Sequence, residues 1–226
     1  MTRSTPCRPL VLGALALALL APRAPLTAQS QPIDREYTAK IKEHLQDARI
    51  STEFVDHLPA SETVPTPLKF LGRIVGTPGE LTYAKDIHRY YEALDAASDR
   101  VKVWKIGTSE EGRAMYVLAV ADAETIRDID RYRGYLNELT DSRRTSEARA
   151  QELLNTAKPI YWLTSGLHST ETGGPEMLME LAYRLAVTET PFYDNIRKNV
   201  RWTGASGRWT PTTSTRSARP AMRACP

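Results

Sequence analysis

Apolar residues fall into short sets whose spacing changes along the chain. The first is an unbroken run, Leu10 to Ala21. Next, Ile33, Tyr37, Ile41 and Leu45 recur every four residues, which predicts a short amphipathic helix. Pro59, Pro65, Pro67 and Pro78 break the pattern, so 58–79 reads as extended or looped. Leu81, Ile87, Tyr90, Tyr91 and Leu94 restore helical spacing over 79–97. "VKVWKIG" (101–107) alternates and is rich in β-formers, as a strand is. "SEEGR" is a turn, and "AMYVLAVA" (114–121) is a second strand that should pair with the first as a hairpin. Residues 123–157 are polar and helical, in two helices broken near Asp141. "PIYWLTS" (159–165) is a short apolar run bounded by turns, the pattern of a buried strand. "GPEMLMELAYRLAV" then predicts a helix, with Pro175 in its first turn and Met177, Leu178, Leu181 and Leu185 as its apolar face. Strand, loop and helix in alternation argue for an α/β sandwich.

The opening run changes character once its flanks are read. Arg3 and Arg8 precede it, it is 12 residues long, and Leu26 and Ala28 follow at a spacing suited to cleavage. Such a run is too short to span a bilayer and reads as a secretory signal over 1–28, which places the mature chain outside the cytoplasm, secreted or periplasmic. No later stretch could span a membrane. The two cysteines, Cys7 and Cys225, lie near the two ends. The body therefore has no disulfide and no cysteine metal site.

Charge is unevenly spread. Residues 1–28 hold three arginines and no acid, and 201–226 hold five arginines and no acid. The rest keeps 22 of the 30 basic residues and all 27 acidic ones. A mildly acidic body gives no reason to expect nucleic acid as a partner. Residues 201–226 contain no Leu, Ile, Val, Phe or Tyr, so they cannot bury enough apolar surface to offset the entropy of ordering. Two readings stand: a disordered basic tail, or translation in a shifted frame. In the shifted frame each Trp-Thr pair encodes Asp, and the neighbouring codons permit "VDGRE" followed by "VDPYYQYTIGTPGNAGLP", which has globular composition.

The candidate chemistry lies in "YWLTSGLHSTETGGPEM". His168 and Glu171 are three apart, after a strand and before a helix. Chemistry in α/β folds sits at the carboxyl ends of strands. If the loop curls as a helical turn, both side chains can reach one ion, and a hydrolytic metal needs such ligands with one position open for water. The bare spacing is weak: with 27 acids in the chain it arises by chance, and His44 with Asp47 already shows it. A hydrogen-bonded or capping pair is the other reading, since Glu171 beside a helix N-terminus is favourable without a metal.

"GLHSTETGGPEM" resembles the first metal motif of the zinc carboxypeptidases related to carboxypeptidase A, and "IGTSEEGRAMYVLAV" resembles that family's paired strands with a Gly-Arg turn. The resemblance runs from about Pro65 to Val200, roughly the family's N-terminal half. It implies one zinc ion bound by His168 and Glu171. It implies a mixed β-sheet flanked by helices on both faces, the phosphorylase/hydrolase-like arrangement, here incomplete. It also implies removal of C-terminal residues from peptides or proteins by a monomer. Between the ligands stand Ser169 and Thr170, where many relatives carry a substrate-contacting arginine. The family's third ligand is a later histidine and its base a later glutamate. This chain has no histidine after His168 and no acid after Asp194. His44, His57 and His88 all lie upstream and read as surface or core histidines.

The expected organisation is therefore a signal over 1–28, an N-terminal extension over 29–64, half of a carboxypeptidase-like domain over 65–200, and a disordered, out-of-frame tail over 201–226. The catalytic base and the substrate-binding residues are not identified, and the chain as written should be inactive and poorly soluble. Two alternatives remain: a secreted scaffold that binds peptides without cleaving them, and a zinc deacylase of N-acyl amino acids.

Overall fold

The computed structural model describes residues 31–168 and 170–206, with 201–206 described by backbone alone. The signal expected over 1–28, both cysteines and residues 207–226 lie outside the described residues. No described helix is long and apolar enough to cross a membrane.

The first helix, α1 (Arg35–His44), starts where Asp34 accepts a hydrogen bond from the Tyr37 amide at 2.9 Å. A cap of this kind contributes about 1 kcal/mol. The proline-rich stretch is looped as expected, except for one turn and a half, α2 (Pro67–Leu71), capped by Thr66 and carrying its proline in the first turn. Then come α3 (Ala84–Ala97), β1 (Val101–Thr108) and β2 (Ala114–Val120). The two strands pair as the expected antiparallel hairpin, Val101 opposite Val120 and Thr108 opposite Ala114.

The polar stretch 123–157 forms three helices, where two were expected: α4 (Ala123–Arg127), α5 (Ile129–Thr140) and α6 (Glu147–Thr156). The break near Asp141 is present. The additional one falls at Asp128, whose amide closes α4 onto the Glu124 carbonyl while its own carbonyl opens α5. After β3 (Ile160–Ser165) follow α7 (Gly173–Val187), α8 (Pro191–Asn199) and β4 (Arg201–Ser206).

The sheet has the order β1-β2-β4-β3, antiparallel except for the parallel pair β3 and β4. Pleating sends alternate residues to opposite faces. Val101, Leu118 and Val120 join Tyr90, Tyr91 and Leu94 of α3 and Leu178, Met179 and Tyr183 of α7 in one core. Ala119, Ala121 and Trp104 meet Ile126 and Ile129 on the other face. The sheet is thus mixed and has helices on both faces, as expected. Each fully buried large apolar side chain contributes about 1.5–3 kcal/mol.

Three expectations are corrected. The segment read as an N-terminal extension packs into the main core from Gln31 onward. Tyr37 and Leu58 are fully buried there, the Tyr37 hydroxyl donates to Glu180 at 2.8 Å, and the Tyr183 hydroxyl donates to the Pro59 carbonyl at 2.9 Å. Burial, then the neighbouring Glu180 carboxylate, push the Tyr37 hydroxyl far above its usual range. Second, "PIYWLTS" does not form a buried strand. Among the described residues β3 has a ladder partner on one side only, and Ile160, Tyr161 and Trp162 are about half exposed. Third, the tail read as disordered is not so over its first six residues, which form β4 between β2 and β3. A ladder is made of backbone groups, and two strands with open edges accept a third whatever its side chains.

Candidate metal centre

The strand β3 stops at Ser165 because Gly166 takes a left-handed conformation, φ 74°. A side chain at Gly166 would be strained, and its Cβ would lie 2.9 Å from Pro175 Cγ. Gly174 is crowded instead by a side chain, since a Cβ there would lie 1.9 Å from Ser165 Oγ and 3.2 Å from Ser165 Cβ. The glycines therefore let α7 begin tight against the end of β3, and the loop between them carries the candidate pair.

The structure brings His168 and Glu171 together. The Glu171 amide donates to the His168 carbonyl at 3.1 Å, which curls the loop into a turn. The Glu171 carboxylate then takes His168 Nδ1 at 2.7 Å and the His168 amide at 3.2 Å. With Glu171 ionised, Nδ1 is the donor of the ring bond. The ring bond first, and then the amide bond, hold the Glu171 carboxyl below the usual glutamate range. Both side chains face solvent, at 71% and 52% exposure.

A second acid belongs to this end of the sheet, and the sequence pattern did not single it out. Glu176, in the first turn of α7, is buried and fully engaged. Its carboxylate accepts from the Gly76 amide at 2.6 Å, the Thr82 amide at 2.8 Å and the Thr82 hydroxyl at 2.6 Å. Arg73 Nη2 stands 3.7 Å away. An acid early in a helix reads as a dipole partner. Nothing in the spacing shows that a loop about a hundred residues upstream would fold over it.

Register shows what meets here. Tyr116 pairs with Ser206, and Ser206 with Ser165, so the start of β2 lies level with the end of β3. The hairpin turn, the loop 72–82 and the His168 turn thus share one end of the sheet. The other histidines are elsewhere or otherwise engaged. His57 pairs with its neighbour Asp56. His88 is buried, and its ring meets that of Tyr116 at a 36° tilt with centres 4.6 Å apart. His44 lies in the last turn of α1.

Zinc takes nitrogen and carboxylate oxygen at about 2.0–2.2 Å, with four ligands or three and a water. His168 and Glu171 are the right donor types, they converge, and they are exposed enough to open around an ion. No group of three or more His, Cys, Asp or Glu able to hold a metal occurs among the described residues. The pair fits two positions of a zinc site, and the described residues do not fit a complete one.

Over residues 87–203 the chain matches the family model described as zinc carboxypeptidase, just over half of the 226 residues. The match runs from α3 through the hairpin, the His168 turn and α7 into β4. The chain belongs to the zinc carboxypeptidase family. No curated protein matches it significantly.

Proposed function

We propose that His168 and Glu171 are two ligands of a zinc site built to release C-terminal residues from peptides, and that this chain alone does not complete the site. The observation that carries the reading is the convergence of Nδ1 and Oε1 at 2.7 Å at the carboxyl end of β3, in a chain of this family. The donor set points the same way: a neutral imidazole and a carboxylate suit zinc, and the turn holds both at the place where α/β sheets carry their chemistry. The chain has no later histidine and no acid after Asp194 to serve as further ligand or base.

The signal over 1–28 makes the product extracytoplasmic, and a peptide substrate needs no partner chain, so a monomer suffices. The test is release of the C-terminal amino acid from an N-blocked peptide in its free-acid form, with zinc added. The expected result is no turnover above the blank. Turnover that is abolished by a chelator and by His168→Ala would show that the chain is an active enzyme after all.

A further inference from the structure

Basic residues stand side by side at two places in the sequence, Arg143-Arg144 and Arg197-Lys198. The fold treats the two pairs in opposite ways. Arg197 lies within α8 and is 1% exposed, and its guanidinium donates to the Leu185 carbonyl at 2.9 Å and the Thr188 carbonyl at 2.7 Å. Arg143 and Arg144 lie in the turn between α5 and α6, and both are exposed, the Arg143 side chain at 88%.

That turn is pinned by one residue, Asp141. Its carboxylate accepts from Arg143 Nε at 2.9 Å and Nη2 at 3.2 Å. Its carbonyl accepts from the Arg144 amide at 3.0 Å and the Thr145 amide at 3.1 Å. The Thr145 hydroxyl donates to the Glu138 carbonyl at 2.6 Å. These bonds are local and at the surface, where water competes for every group, so the turn can open while the core stays closed. Endoproteolysis needs such opening, because the protease acts on the opened form of its target. A protease that reads paired basic residues binds their forks with carboxylates.

A cut here would leave the assembly held from both sides. The fragment ending at Arg144 carries α1 to α5, β1 and β2, and the other carries α6, β3, α7, α8 and β4. β2 pairs with β4 from Tyr116 opposite Ser206 to Val120 opposite Trp202. Tyr37 donates to Glu180, Glu176 accepts from the Gly76 and Thr82 amides, and Tyr90 and Leu94 share one core with Leu178 and Met179. Arg149 reaches Glu138 at 3.0 Å across the turn itself.

We infer that the Arg143-Arg144 turn is a processing site for an endoprotease selective for paired basic residues, cut after Arg144, and that the two fragments stay assembled. Water adds across the Arg144–Thr145 amide: the C–N bond breaks, Arg144 keeps the new carboxyl group and Thr145 the new amine. Neither residue touches His168 or Glu171, so this inference and the zinc reading fail independently.

The test treats the whole folded chain with a serine endoprotease selective for paired basic residues, and follows the products by intact mass and native gel filtration. The expected result is one cut, between Arg144 and Thr145, with both fragments eluting together at the volume of the uncut chain. Arg144→Gln, an exposed substitution, should abolish the cut. Asp141→Ala, which frees the turn without touching the arginines, should speed it about threefold or more. No cut in the parent chain, a cut after Lys198 in its place, an unchanged rate in Asp141→Ala, or separation of the fragments would overturn the inference.

Discussion

At the scale of single residues, the centre of the molecule is one carboxylate with two donors. Glu171 holds the His168 ring and amide together, and each bond favours its ionised form. Its folded pKa is depressed, so the contribution of these bonds is complete above the ordinary glutamate value of about 4.3 and fades as pH falls through the lowered one. The carboxyl ¹³C titration of Glu171 should therefore have its midpoint below that of a solvent-exposed glutamate, and the His168 amide shift should follow it. In His168→Ala the midpoint should return toward the ordinary value. A midpoint at or above that value in the parent chain would contradict the pairing. His168 and Glu171 were legible in the sequence because glycines bracket them between a strand and a helix. Glu176 was not, since its partners Gly76 and Thr82 are distant in sequence and bind it through backbone groups.

At the scale of elements, Glu176 is the link between α7 and the loop 72–82. Glu176→Ala leaves the Gly76 and Thr82 amides without their acceptor and should cost about 2–4 kcal/mol. Hydrogen exchange should quicken at those two amides before it quickens in β1 or β2. Uniform quickening throughout the chain would mean that Glu176 supports the core as a whole. Most elements followed from periodicity: α1, α3, the hairpin and α7 appear where their apolar spacing puts them. The misreadings of strands come from what periodicity leaves out. Periodicity shows which face of an element is apolar, but not whether a neighbour covers it. "PIYWLTS" is apolar enough for a central strand, yet among the described residues it is flanked by β4 alone. Residues 201–206 carry too few apolar side chains to predict a strand, and form one through backbone pairing.

At the scale of the whole molecule, these features set its behaviour in solution. Among the described residues the outer side of β3 has no strand partner, and Ile160, Tyr161 and Trp162 there are about half exposed. Such an edge is a template for pairing with other chains. Trp162→Lys should lower light scattering at a given concentration without shifting Tm by more than about 4 °C. Scattering unchanged by the substitution would place self-association elsewhere. The α/β class and helices on both faces were legible from the alternation of elements. The inclusion of 31–64 in the main core was not, because it depends on Tyr37 and Tyr183 reaching partners far along the chain.

The central claim is that His168 and Glu171 hold zinc together, as two ligands of an incomplete site. Isothermal titration of the metal-free chain with zinc, alongside His168→Ala and Glu171→Gln, tests it most directly. The account predicts one weak binding event per chain, lost in either variant. Binding that survives both substitutions, or none in the parent chain, would contradict it.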